Sequence, residues 1–197
     1  MILAPLDRRG AVGSVDVQKR TVELVFSTGA GVVRYDWLDG KQYLERLSLE
    51  AAHIRLDRLN AGAPLLNAHS ALSLADQIGV VEPGSVKLTK QEARATVRFS
   101  KRADVEPFFQ DVCDGIIRNV SVGYRVHRFE EQAAGKDNAL PVRLATDWEP
   151  YEISLVPMGA DAGAGVRTSS TLTPADADRA RRLRLASVRA LSQGDFR

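Results

Sequence analysis

The stretch Asn119-Val120-Ser121-Val122-Gly123-Tyr124-Arg125-Val126 constrains this chain more than any other. Apolar side chains fall on every second position, so Val120, Val122, Tyr124 and Val126 share one face while Asn119, Ser121, Gly123 and Arg125 share the other. That is the period of a half-buried strand, with Ser121 turned away from the core. Gly123 lies two residues along on the same face as Ser121, and its missing side chain leaves room for another group to come close.

Similar runs recur along the chain. Val12 to Val17 and Thr21 to Phe26 read as a hairpin about Gln18-Lys19-Arg20, and Val32 to Leu38 as a third strand closed by Asp39-Gly40. Further β runs are predicted at Leu65 to Asn67, Ile78 to Val81, Val86 to Leu88, Ala93 to Phe99, Pro141 to Leu144 and Trp148 to Pro157. The expected class is a β-dominated α+β fold. Two segments look helical. Gln42 to Leu59 does so in part, through Tyr43, Leu47, Ala51 and Ile54. The other opens on Asp104 as N-cap, carries the stripe Val105, Phe108, Phe109, Val112 and Ile116, and closes at Gly115. Glu130 to Asn138 is polar and reads as an exposed, mobile hairpin loop. Past Pro157 the chain turns to Gly, Ala, Ser and Thr, and Thr173-Pro174-Ala175-Asp176 then opens a basic helix with Arg179, Arg181, Arg182, Arg184 and Arg189. The organisation expected is a body over 1–157, a flexible linker over 158–172 and a separate C-terminal helix over 173–197.

Composition narrows the function. With 197 residues, 44% of them apolar, the chain can bury a core, and its apolar runs fall well short of the roughly 18 residues a membrane helix needs. The N-terminus has no secretion-signal order, and the single cysteine, Cys113, fits a reducing compartment and reads as a structural thiol. Three histidines, 53, 69 and 127, lack ligand spacing, so no metal is expected, and no phosphate loop or dinucleotide fingerprint points to a cofactor. A net charge of +2, from 27 basic and 25 acidic residues, gives the body no nucleic-acid footprint, and nucleic acid is not expected as its partner.

Three residues carry candidate chemistry. His69 stands where a short strand meets a loop, Ser121 on the solvent face of its strand, and Glu152 in the middle of an apolar strand, where a carboxylate needs a partner. Serine needs a base within reach to act as a nucleophile, and the base needs an orienting group. His127 is on the strand of Ser121 but six residues away, about 20 Å, which is too far to be that base. His53 reads as structural.

Three blocks, Leu65-Leu66-Asn67-Ala68-His69-Ser70 with Ile78-Gly79-Val80-Val81, Asp114 to Tyr124, and Trp148 to Pro157, together resemble the prohead (capsid maturation) serine proteases of tailed phages. That resemblance implies a β-barrel similar to herpesvirus assembly proteases. It makes Ser121 the catalytic nucleophile, His69 the base and Glu152 the orienting carboxylate of a serine endopeptidase. The implied partners are the major capsid protein and its scaffolding segment, with self-association open, inside the immature capsid in the host cytoplasm. Where the family has Asn and Asp about its histidine, this chain has Ala68 and Ser70. Two alternatives stand beside this reading: a non-enzymatic virion or scaffold component that binds capsid protein, and a cysteine hydrolase using Cys113.

Overall fold

A computed structural model describes residues 15–38, 40–132 and 140–166. The expected C-terminal helix and most of the expected loop at 130–138 lie outside the described residues.

The strands are β1 (Val15–Asp16), β2 (Thr21–Ser27), β3 (Val32–Asp36), β4 (Lys41–Leu47), β5 (Pro64–Asn67), β6 (Gln77–Val81), β7 (Lys87–Leu88), β8 (Ala93–Phe99), β9 (Val120–Gln132), β10 (Val142–Leu155) and β11 (Gly165–Val166). Two helices are α-helical, α1 (Asp57–Asn60) and α2 (Glu106–Cys113). The strands form one sheet with the path β1-β2-β8-β6-β5-β10-β4-β3, with β11 on β2, β7 on β8 and β9 on β10. β-dominance is as the sequence indicates, but the expected closed barrel is not: among the described residues the path is open, ending on β1 and β3. The two-residue β11 reaches across to β9 only through the single bridge Asn119–Gly165, and two residues of ladder are too few to close a barrel.

β10 organises the sheet. One side pairs along its length with β9, antiparallel; the other pairs in parallel with β4 through Val142–Ala145 and then with β5 through Ile153–Leu155. Pro150 cannot donate to a ladder, and it sits next to a register shift between Pro150 and Glu152, where the strand tolerates it. The expected helix over Gln42–Leu59 is replaced by β4, a short 3-10 turn at Ala51–His53 and α1. Tyr43 and Leu47 are four apart, a spacing that also fits period two, and pairing with both β3 and β10 decides in favour of the strand.

The core lies under this sheet. Trp148, Phe26, Phe99 and Phe109 are its largest fully buried side chains, and the Trp148 indole donates to the Ser48 carbonyl at 2.9 Å. Phe109 and Val112 of α2 fill the space against β8, with the Phe99 and Phe109 rings 5.3 Å apart. The Arg20 guanidinium lies 4.3 Å above the Phe109 ring and bonds Glu106 at 2.6 Å. The N-cap of α2 is Val105, not Asp104; Asp104 instead accepts from Arg102. The first part of the expected linker is tied down: Asp161 accepts from Thr28 N–H at 2.6 Å and from its hydroxyl at 2.8 Å, and β11 follows.

Candidate functional site

β9 lies as its alternation requires. Val120 is fully buried, Val122, Tyr124 and Val126 rest on the core, and Ser121 is half-buried on the opposite face. In the ladder Ser121 stands opposite Ser154 and Gly123 opposite Glu152. Directly opposed residues share a face, so one patch carries the Ser121 and Ser154 hydroxyls and the Glu152 carboxylate. The space that Gly123 leaves open holds Glu152: a Cβ there would come within 2.7 Å of its carboxyl carbon.

Glu152 is 4% exposed and both its oxygens are engaged. His69 Nδ1 lies 2.6 Å from Oε1, and the Ser154 hydroxyl donates to Oε2 at 2.8 Å. The Ser154 oxygen in turn accepts from His69 N–H at 3.0 Å, so one serine holds both the carboxylate and the histidine backbone. A carboxylate only accepts, which places the Nδ1 proton toward Glu152. The His69 side chain is 43% exposed.

β5 delivers the imidazole by an unusual backbone route. Ala68 and His69 have φ of 51° and 61°, left-handed values that cost a non-glycine residue roughly 1–2 kcal/mol each. Two bonds to β10 hold the turn, Ala68 N–H to the Leu155 carbonyl at 2.9 Å and His69 N–H to the Ser154 hydroxyl, and Ser70 N–H closes it by bonding the Asn67 carbonyl of β5 at 2.9 Å.

The structure therefore joins two of the three expected residues directly, His69 and Glu152, and sets Ser121 beside them across the ladder. Among the described residues no hydrogen bond links the Ser121 hydroxyl to the imidazole. Ser154 was missed from the sequence, although its signal was present: it follows Glu152 by two on the same face of an apolar strand. The Gly159–Ala160 turn lies next to β9, a Cβ on Gly159 falling 3.3 Å from the Val120 carbonyl.

The other histidines and the thiol are structural. His53 Nδ1 meets the Ser48 hydroxyl at 2.8 Å, and His127 pairs with Glu149 at 3.5 Å. Cys113 sits half-buried against the core, and burial, reinforced by the Asp114 charge, pushes its thiol up to about 11. Little thiolate forms at neutral pH in such a place, so a Cys113 nucleophile is rejected. Among the described residues no cluster of His, Cys, Asp and Glu could hold a metal ion, and no helix is long and apolar enough to cross a membrane.

Comparison with known proteins points to the phage capsid. No family model and no solved structure matches the chain. The major capsid protein of Halomonas phage phiHAP-1 (isolate -/Gulf of Mexico/-/2001) is 38% identical to it over 135 residues, 66% of this chain and 22% of that protein. This chain thus spans about a fifth of the length of the curated relative it matches. The finding supports the phage and capsid setting of the sequence reading and overturns its enzymatic part. The expected serine endopeptidase that cuts scaffold from capsid protein is corrected, because the relative is a major capsid protein.

Proposed function

We propose that this chain is a structural module of a phage capsid, a β-rich body that joins the assembling shell through contacts with capsid protein. The observation that carries this reading is the 38% identity to a major capsid protein. The physical features of the fold suit such a role. The sheet is anchored on one long strand, β10, its buried carboxylate is fully hydrogen-bonded, and large apolar side chains stand exposed at Trp37, Leu38, Leu72, Leu74, Ile116 and Met158. Scattered exposed apolar residues are common, but a subunit that must bury part of its surface against neighbours needs them.

In this reading the His69–Glu152–Ser154 network is a fastening. It closes β5 onto β10 and holds the strained turn at Ala68–His69, while Ser121 fills the surface beside it. The test is co-expression with the cognate capsid protein, followed by sedimentation of assembled shells. The chain should travel with the shells, and Ser121→Ala should leave both its incorporation and the size of the capsid protein unchanged. Exclusion from shells, or a capsid-protein cleavage product that disappears with Ser121→Ala, would overturn the reading.

A further inference from the structure

Among the described residues the sheet path ends on β1 and β3, and the two edges are made differently. β1 has two residues, and the Asp16 carboxylate turns back on the N–H groups of Gln18 and Lys19; a short, charged edge resists pairing. β3 has five residues, pairs with β4 without a register shift, and contains no proline or lysine. Its outward backbone groups follow from β4. Leu44 N–H bonds the Pro141 carbonyl on the β10 side, so Tyr43 and Glu45 turn toward β3, where Arg34 and Val32 answer them. Val33 and Tyr35 are left with N–H and C=O directed at the free edge.

The side chains of those two residues form an exposed apolar row with Trp37, which is 87% exposed and packs edge-on against Tyr35 at 4.9 Å. Arg34 and Asp36 occupy the other face, each held in place: Arg34 by Tyr124 at 3.0 Å and by Glu45 at 3.3 Å, Asp36 by Arg143 at 2.7 Å.

We propose that β3 is a homotypic interface, at which a second copy of this chain adds its own β3 antiparallel, with the two-fold axis at Tyr35. In that register Tyr35 meets Tyr35 of the second copy and the two exchange N–H to C=O bonds, since both point outward. Arg34 meets Asp36 on each side of the axis, and Val33 lies across from Trp37 in the turn that follows β3. Opposite charges and an aromatic against a β-branched residue are the favourable cross-strand pairs. Moving the axis to Arg34 would set two guanidiniums opposite each other, an unfavourable arrangement. The charge order of the strand thus selects both the partner, a copy of itself, and the register. This inference does not depend on the capsid reading: a dimer can form in a chain that never enters a shell.

Sedimentation velocity of the full chain up to about 1 mM tests it, a range that captures weak interfaces. Wild type should dimerise with concentration. Tyr35→Pro removes an outward N–H and no bond to β4, so it should abolish the dimer with the circular dichroism spectrum unchanged. Val33→Lys, an exposed substitution, gives a second route should the proline disturb folding. In a Cys113→Ser background, Tyr35→Cys should cross-link to its own copy under mild oxidation more completely than Arg34→Cys. A monomer throughout the range, a dimer indifferent to both Tyr35→Pro and Val33→Lys, or preferential cross-linking at Arg34→Cys would overturn the proposal.

Discussion

Replacing Glu152 with alanine tests the fastening at the end of β5. The Ser154 hydroxyl, in a fully buried residue, would lose the acceptor for its proton, which costs roughly 1–3 kcal/mol for a buried unsatisfied donor. The His69 side chain is 43% exposed, so water takes over much of what Glu152 gave it and that loss is discounted to about 0–1 kcal/mol. The one buried methylene removed, Cγ, adds about 0.8 kcal/mol and brings the sum to about 2–5 kcal/mol. For a chain of this size each kcal/mol moves Tm by about 2–4 °C, so differential scanning calorimetry should show a fall of roughly 4–20 °C. Ser154→Ala cuts the same network, and the double variant should lose less than the sum of the two, by at least about 0.5 kcal/mol. A fall of under about 2 °C for Glu152→Ala, or strict additivity with Ser154→Ala, would refute the account of a shared network.

Other substitutions test the close approaches. Gly123→Ala should displace the Glu152 carboxylate and destabilise about as much as Glu152→Ala, measured by the same melts, since its Cβ would lie 2.7 Å from the carboxyl carbon. Gly79→Ala, on β6 between β5 and β8, drives a Cβ onto the Arg98 backbone and should prevent soluble expression or lower Tm further than any surface change. Alkaline pH should weaken the fold. Burial, with Glu45 as a second cause, pushes the Tyr124 hydroxyl up to about 12, and burial pushes the Cys113 thiol up to about 11, so the folded state keeps both protons longer than the unfolded chain. Their stabilising effect is complete below about pH 9 and is lost as pH rises through 11 and then 12, so melting midpoints should fall over that window and Tyr124→Phe should flatten the upper part. Alkylation of Cys113 at pH 7.5 should run far slower than that of the same thiol in denaturant.

Much of the architecture was legible because period-two alternation survives in the buried strands. β2, β8 and β9 show it plainly, and the Phe108–Phe109–Val112 stripe marks α2. Where the reading failed, tertiary pairing was the cause. Lys41–Leu47 has apolar residues at spacings compatible with helix or strand, and only its place between β3 and β10 settles it. β10 appeared as two β runs with a gap between Leu144 and Trp148, yet the register shifts between Ala145 and Asp147 and between Asp147 and Trp148 let one strand run from Val142 to Leu155. Asp161 looked like linker because the sequence gives no sign that Thr28, distant in the chain, would meet its carboxylate. At the candidate site the need of Glu152 for a partner was readable from its apolar surroundings, and His69 supplies it. The catalytic role expected of that pair rested mostly on resemblance and little on the residues' own spacing.

The most direct measurement of the central claim is a cryo-EM reconstruction of purified shells formed with and without this chain, with quantitative mass spectrometry of the same particles. The structural account predicts density for the β-rich body at fixed positions in the shell and intact chain at reproducible stoichiometry. Shells with no such density, together with capsid protein shortened only when Ser121 is present, would contradict it.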